Sequence, residues 1–369
     1  MALQVSETRP QAPTPTPTAT ASRAGSSFAR WVAQVLAALY PLALLVILGA
    51  FRLVGERWWA TTVALYLPRL GFALPLPVLL LALWLTRARA WAWISLGASL
   101  PILLVLMGLV LPWPARANPA TPSLRVMSYN VNSEAGGAER IVDEIDRFSP
   151  DVLLLEEHGA SERIATLLQA RYSTVRVAGQ FVLATRFAVT SSFDPERLRY
   201  SGRLRSARWL QEVIETPLGA IAFYVMHPES PRRGFYALRG NGLRREILSG
   251  QGFPDDSEDV VADNSGLRAM QVADVASAAR QEKRPVVIAG DTNLPELSYV
   301  LHRYLGGFQD GYAKAGWGFG YTFPTGRRGP WMRIDRILAS DELHFVHFEV
   351  GHSLASDHEC VVADLQRAP

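Results

Sequence analysis

Cysteine is almost missing from this chain: Cys360 stands alone among 369 residues. An intramolecular disulfide and a cysteine-based metal cluster are therefore both excluded, so any metal must be held by oxygen and nitrogen ligands. Lysine is nearly as scarce, with Lys283 and Lys314 the only two, and the formal net charge is +3. No long Lys/Arg stripe with interleaved aromatics marks a nucleic-acid track. A third scarcity is local. Trp31–Phe51 runs for 21 residues without a formal charge, and Trp91–Trp113 is uncharged as well.

A run of that length, at 1.5 Å per residue, is enough to cross a bilayer core of about 30 Å. Another apolar stretch extends from Trp58 to Leu85, broken by Pro68-Arg69, and Trp58, Trp59, Trp91, Trp93 and Trp113 flank the runs as interfacial aromatics do. A cleaved signal peptide has one short apolar region near the start, and a buried core helix shows a polar face; neither matches. Residues 30–114 are thus expected to form about three transmembrane helices, with two or four left open by the break at Arg69. The preceding Pro/Thr/Ala/Ser-rich tail, residues 1–29, has little to bury and is expected to be disordered. Arg9, Arg23, Arg30, Arg87 and Arg89 fall on one side of such spans and Arg52, Arg57 and Arg116 on the other. That excess favours an inside N-terminus, and three spans then put the rest of the chain outside the cytoplasm. The expected location is the cell membrane, multi-pass, with the lipid bilayer as a partner.

After a proline-rich linker at residues 115–123 the texture changes. Short β-type runs alternate with helical stretches over residues 124–369: LRVMSYNV, DVLLLEE, FVLATRFAV, GAIAFYVMH, PVVIAGDTN, RIDRILAS and ECVVADL read as strands, and AERIVDEIDRFSP and AMQVADVASAARQ as helices. The fold class is α/β, in one large domain. Polar residues fall where these strands stop. Asn130 closes the first, Glu156-Glu157-His158 the second, His227 follows FYVM, and Asp291 and Asn293 follow VVIAG. Asp335 sits within RIDRIL, and Asp357-His358 precede the last strand. One acid at a strand end is a turn former or cap; a series of them converges on a crevice. An oxygen-rich set of this kind suits Mg²⁺, with Mn²⁺ also compatible.

The ordered set SYN (Ser128–Asn130), LLLEEHG (Leu153–Gly159), HPESP (His227–Pro231), GDTN (Gly290–Asn293), RIDRIL (Arg333–Leu338) and SDH (Ser356–His358) resembles the endonuclease/exonuclease/phosphatase superfamily. That group contains deoxyribonuclease I-like nucleases, abasic-site endonucleases, sphingomyelinases and inositol-polyphosphate phosphatases. The resemblance covers Leu124–Leu365 and implies a four-layer α/β/β/α sandwich with a metal at one edge. Carried over position by position, it implies metal binding by Glu157 and Asn130, with Asp357 as a further metal or water contact. Glu156 stands where the family commonly has glutamine, and Thr185 where its strand ends in serine. Asp291 and Asn293 orient water or hold the phosphate, and strand alternation is expected to put both on one side. Asp335 and His358 form an acid–imidazole pair, and His227 lies near the leaving group or a phosphate oxygen.

His302, His344, His347 and His352 lie outside the motifs and read as surface or core residues. His158 is adjacent to Glu157 and, on a strand, faces away from it. Arg232 and Arg233, just after His227, either meet a phosphate-rich substrate or belong to a solvated loop. The layout is similar to membrane-anchored bacterial members of the superfamily. The expectation is a membrane-anchored, divalent-metal-dependent phosphoester hydrolase with an extracytoplasmic catalytic domain, acting on a lipid-linked phosphate or phosphodiester. The alternative is a membrane-anchored nuclease cleaving DNA or RNA.

Overall fold

The apolar stretches form helices, but not with the limits their composition suggests. The structure, a computed structural model, describes residues 19–112, 117–159, 161–239, 255–326 and 329–368. Residues 1–18 of the expected tail, Trp113, and residues 115–116 of the linker lie outside the described residues. Helix α1 spans Ala19–Leu53 and so begins inside the tail, two residues past the last proline of its Pro/Thr repeat; alanine-rich sequence free of proline sustains the helix there. Then come α2 (Trp59–Leu65), α3 (Leu70–Ala73), α4 (Pro75–Leu85) and α5 (Arg89–Leu106). Two helices are long and apolar enough to cross a membrane, Ser27–Leu53 and Arg89–Leu106. The middle stretch is bent by 91° between Trp59–Leu65 and Leu70–Leu85, because Pro68 removes a donor and disfavours helix at the residue before it. The last run stops at Leu106 rather than continuing to Trp113: Gly108 takes a left-handed φ of +74° and Val110 pairs with Gly318.

The chain divides into two compact units. The first comprises the described residues to Leu45 with Phe72–Leu103. Small side chains bring its helices together, Ala33, Ala37 and Ala88 packing with Leu83. Tyr40 donates to the Phe72 carbonyl at 2.6 Å.

The second unit comprises Val46–Gly71 and Leu104–Pro369. Its globular part runs β1 (Leu124–Asn130), α6 (Ala138–Phe148), β2 (Val152–Glu156), α7 (Arg163–Gln169), β3 (Thr174–Ala178), β4 (Phe181–Thr185) and β5 (Val189–Phe193). A small hairpin, β6 (Leu198–Tyr200) and β7 (Arg203–Arg205), precedes β8 (Trp209–Thr216), β9 (Gly219–Met226), α8 (Arg232–Arg239) and α9 (Asp255–Gln281). The chain ends with β10 (Val286–Asp291), β11 (Gln309–Asp310), α10 (Gly311–Ala315), β12 (Asp335–Ala339), β13 (Leu343–Val350) and β14 (Val361–Arg367). The strands make two six-stranded sheets, ordered β13-β14-β1-β2-β4-β3 and β11-β12-β10-β9-β8-β5.

Three apolar clusters account for the layering. Leu124, Val126, Leu154, Phe223, Val287 and Val361 fill the space between the sheets. Met127, Leu153 and Val362, on the other face of the first sheet, pack with Ile141, Ile145 and Leu168 of α6 and α7. Tyr224 and Ile288 of the second sheet pack with Val272, Val275 and Ala276 of α9. Alternating strand faces feed these clusters in turn, giving a mixed α/β fold of two sheets with helices outside each. The described part of the linker is docked: the Asn118 amide donates to Gln366 Oε1, and Gln366 Nε2 returns a bond to the Asn118 carbonyl, each at 3.0 Å.

Candidate active site

Both sheets deliver polar residues to one edge. In the first, β1 runs parallel to β2 with Asn130 opposite Glu156, and Glu157 follows with φ +54°. In the second, β10 ends at Asp291, which lies in register with Asp335 at the start of β12, while parallel β9 carries His227 just past its end. Gly290 is required for this junction: a Cβ there would sit 1.9 Å from the Met226 carbonyl oxygen, and its φ is +141°.

Asn293 reaches the site by a turn and not by strand alternation. The strand stops at Asp291, whose Oδ1 accepts from the Asn293 amide at 2.8 Å, and Asn293 takes φ +51°. An Asx turn of this kind redirects the chain within two residues. Both side chains still line one pocket of about 200 Å³, with Tyr66, Glu157, Arg232, Phe235, Phe323, Trp331 and His358. Glu157 and Asn293 are non-glycine residues in left-handed backbone, a conformation that costs about 1–2 kcal/mol and persists where the surroundings enforce it.

His358 Nδ1 meets Asp335 Oδ1 and Oδ2, each at 3.0 Å, and its Nε2 lies 3.7 Å from Asp291 Oδ2. Burial disfavours the charged ring, but the Asp335 and Asp291 carboxylates outweigh it and raise the pKa to about 10. Asp291 is itself pushed up, to about 7, by burial and by its neighbours Asp335 and Glu157, against the opposing pull of His358. His227 is the opposite case. Burial, with the positive charges of Arg208, His358 and Arg232, lowers it to about 3, so the ring is neutral. Gln180 Oε1, 2.8 Å from Nδ1, selects the Nδ1–H tautomer. The bare Nε2 has no hydrogen-bond partner and faces Glu157 Oε1 at 3.4 Å and Asp291 Oδ2 at 3.5 Å.

That is an unfavourable convergence of lone pairs, and a cation relieves it. Glu157, His227 and Asp291 each present a ligand atom within 4.8 Å of the others. Two carboxylates and a neutral imidazole fit a divalent ion. Asn130 donates its amide nitrogen to Glu157 at 3.1 Å and Asp291 at 3.2 Å, while its oxygen accepts from the Asn132 amide. It spaces the two acids in this arrangement.

Not every expected residue converges. Asp357 is paired with Arg232 at 2.8 Å and belongs to neither potential ligand cluster found among the described residues. Arg232 lines the pocket, its guanidinium 5.4 Å from the Phe323 ring centroid. Arg233 lines a separate cavity with Arg205, Glu229 and Asp263. Glu156 is fully buried, accepts from Ser128 at 2.9 Å, and is held well above the usual carboxylate range by burial and by Asp335. His158 turns away to Glu134, at 2.8 Å. Gln180, Tyr66 and Arg268 escaped the sequence reading. Gln180 follows a turn glycine, and the other two sit in apolar or helical context with no local signal of a site.

The chain belongs to the Endonuclease/Exonuclease/phosphatase family, whose model matches residues 127–358. It is accordingly an enzyme of the metal-dependent phosphoester hydrolase class. Similar solved structures include an endonuclease/exonuclease/phosphatase from Beutenbergia cavernae, 20% identical over 67% of this chain and 72% of that one, with TM-score 0.48. A truncated Caenorhabditis elegans TDP2 is 18% identical over 66% of this chain and 98% of its own, TM-score 0.45. A Bacteroides thetaiotaomicron mannosyl-6-phosphatase is 14% identical over 66% and 99%, TM-score 0.45. None of the curated proteins compared with the chain matches it.

Proposed function

We propose that the protein is a membrane-anchored phosphoester hydrolase acting outside the cytoplasm on a lipid-linked phosphate or phosphodiester. The observation that carries this reading is the pocket itself. Glu157, Asp291, Asn293 and His358 share its lining with Tyr66, Phe235, Phe323, Trp331 and Met332, the Phe323 and His358 ring centroids lying 4.5 Å apart. Polar groups with aromatic and apolar side chains among them suit a substrate that joins a phosphate to an apolar group.

In this reading Glu157 and Asp291, with His227 beside them and Asn130 spacing them, hold the divalent ion, Mg²⁺ in preference and Mn²⁺ as substitute. When bound, such an ion supplies Lewis acidity toward a phosphoryl oxygen. Asp335 fixes the His358 tautomer, so that proton exchange occurs at Nε2, which faces the pocket. With the charge of Asp291 compensated, one of the groups that raise the His358 pKa, after Asp335, would be removed, which moves the ring toward the range in which it accepts a proton from water. Asn293 and Asp291 keep water and phosphate in line, Asp357 keeps Arg232 over the pocket mouth, and Arg232 meets a phosphate oxygen.

Topology supports the anchoring. Arg69 pairs with Glu296 at 2.9 Å and Tyr66 donates to the Asn293 carbonyl at 2.6 Å, so the segment after α1 and the catalytic domain share one side of any bilayer. The intervening chain, α3 to α5, then crosses it an even number of times and α1 once. In this arrangement α5 supplies one of those crossings and Leu70–Leu85 would supply the other, and an inside N-terminus agrees with the arginine distribution. A C-terminal alkaline phosphatase fusion, which works only outside the cytoplasm, should be active; a silent fusion would reverse the orientation.

The aromatic lining also suits stacked bases, which keeps an anchored nuclease as the second reading. The deciding assay is phosphate release or strand cleavage by full-length protein with Mg²⁺ or Mn²⁺, on a lipid diphosphate and on plasmid DNA side by side. Turnover of the lipid alone is expected, falling about a hundredfold or more in both Glu157→Ala and His358→Ala. DNA nicking alone, lost in the same variants, would exchange the two readings.

A further inference from the structure

Among the buried polar side chains of the segment between α1 and α3, Glu56, Tyr66 and Arg69 converge on one loop. Glu56 accepts from the Ser298 hydroxyl and from the Val300 amide, Tyr66 donates to the Asn293 carbonyl, and Arg69 pairs with Glu296. That loop, residues 293–300, begins at a proposed catalytic residue. Gly55 permits the close approach: a Cβ there would meet the Tyr299 Cβ at 2.5 Å.

Tyr66 occupies the decisive position. Arg268 Nη1 donates to its hydroxyl oxygen at 3.0 Å, which leaves the phenolic proton free for the Asn293 carbonyl. The same Arg268 holds the Glu229 carbonyl through Nε at 2.7 Å, and the Pro228 carbonyl next to it accepts from Asn293 Nδ2 at 3.1 Å. The Tyr66 carbonyl accepts from Trp331 Nε1 at 3.3 Å, and its ring meets Phe235 edge-on. Asn293 is thus gripped at both its main-chain carbonyl and its side-chain amide, in a left-handed conformation it would not hold unaided. Without the phenol, the Asn293 carbonyl loses the Tyr66 donor, and its peptide is left with the longer bond from the Leu294 amide to Thr292 Oγ1, at 3.4 Å.

We propose that Tyr66 is a positioning residue of the active site, supplied by the segment between apolar helices and acting through Asn293. This rests on the reading of the site given above. It means that the globular domain cut free of residues 46–71 lacks part of its own catalytic apparatus, and that anchoring and catalysis are structurally joined.

The test uses full-length protein in detergent with Mg²⁺ and two soluble probes, p-nitrophenyl phosphate and bis(p-nitrophenyl) phosphate. Tyr66→Phe keeps the ring and its packing and removes only the hydroxyl. Its kcat should fall about tenfold with KM little changed and the protein still folded at the assay temperature, a split that a loss of folding would not produce. In an Asn293→Ala background the same substitution should have no further effect, because the group it acts through is gone. A Tyr66→Phe enzyme running at the wild-type rate while Glu157→Ala is dead overturns the inference and leaves the site reading standing. Multiplicative losses in the double variant also overturn it, since Tyr66 would then act independently of Asn293. Wild-type protein inert toward both probes and toward lipid and DNA would overturn the site reading, and this inference with it.

Discussion

α4 and the segment Trp58–Arg69 just before it fall in one apolar stretch of the sequence and are opposite in what their side chains do. Leu74, Val78, Leu81 and Leu85 in and beside α4 are more than half exposed. In the preceding segment Thr61, Thr62, Tyr66 and Arg69 are buried, and so is Glu56 just upstream. Each of Glu56, Tyr66 and Arg69 meets a partner more than 200 residues away in sequence. Mean hydropathy records how many apolar residues a window holds. It does not record whether the few polar ones are answered by protein, and that is what marks a docked segment.

The comparison breaks hardest at Glu296. Among the described residues, Arg69 has the Leu106 carbonyl as its only hydrogen-bond acceptor apart from this carboxylate, and both side chains are nearly inaccessible. Glu296→Ala leaves a guanidinium buried near Arg333 and Arg336, which should cost about 3–5 kcal/mol in denaturant unfolding of the detergent-solubilised protein. Arg69→Met should cost less, about 1–3 kcal/mol, because Glu296 keeps the Arg333 amide at 2.9 Å and the field of Arg333 and Arg336. Equal losses in the two variants would mean that the segment is not docked where its charges suggest. Glu56→Gln comes next. It turns one acceptor into a donor facing the Val300 amide or the Ser298 hydroxyl, a change worth about 1 kcal/mol in the same assay.

Legibility from sequence followed the same division between local pattern and remote partner. β1, β2, β9, β10, β12 and β14 are runs of buried apolar residues and could be read as such. β3, β5 and β13 are partly exposed and mix polar residues into the run. In β8 the run is interrupted by Glu212, a fully buried acid bonded to Ser192 and paired with Arg176 from other strands. In the site, the strand-end positions of Asn130, Asp291, Asp335 and His227 were visible because a buried strand must end somewhere polar. The left-handed turn at Glu157 was not, since glutamate rarely takes a positive φ; asparagine does so more readily, but the reading of Asn293 as part of the strand passed over that signal. Tyr66 and Arg268 could not be found at all by spacing: the contact that matters joins positions 227 residues apart.

The smallest effect is expected where the two regions differ most. Val78 on α4 is 68% exposed and lies outside the catalytic unit. Val78→Ala removes two methyl groups that touch solvent or detergent in the purified protein, so stability should move by no more than about 0.5 kcal/mol. Activity on a soluble phosphodiester should stay at the wild-type value. The matched change in the docked segment is Thr62→Ala, at a residue 1% exposed whose hydroxyl donates to the Trp58 carbonyl at 2.9 Å. Losing that bond and leaving a small void should cost about 1 kcal/mol. A Val78 variant more damaging than the Thr62 variant would mean that α4 is packed against protein in the working molecule, and that its exposed leucines and valine mark an interface with a second chain.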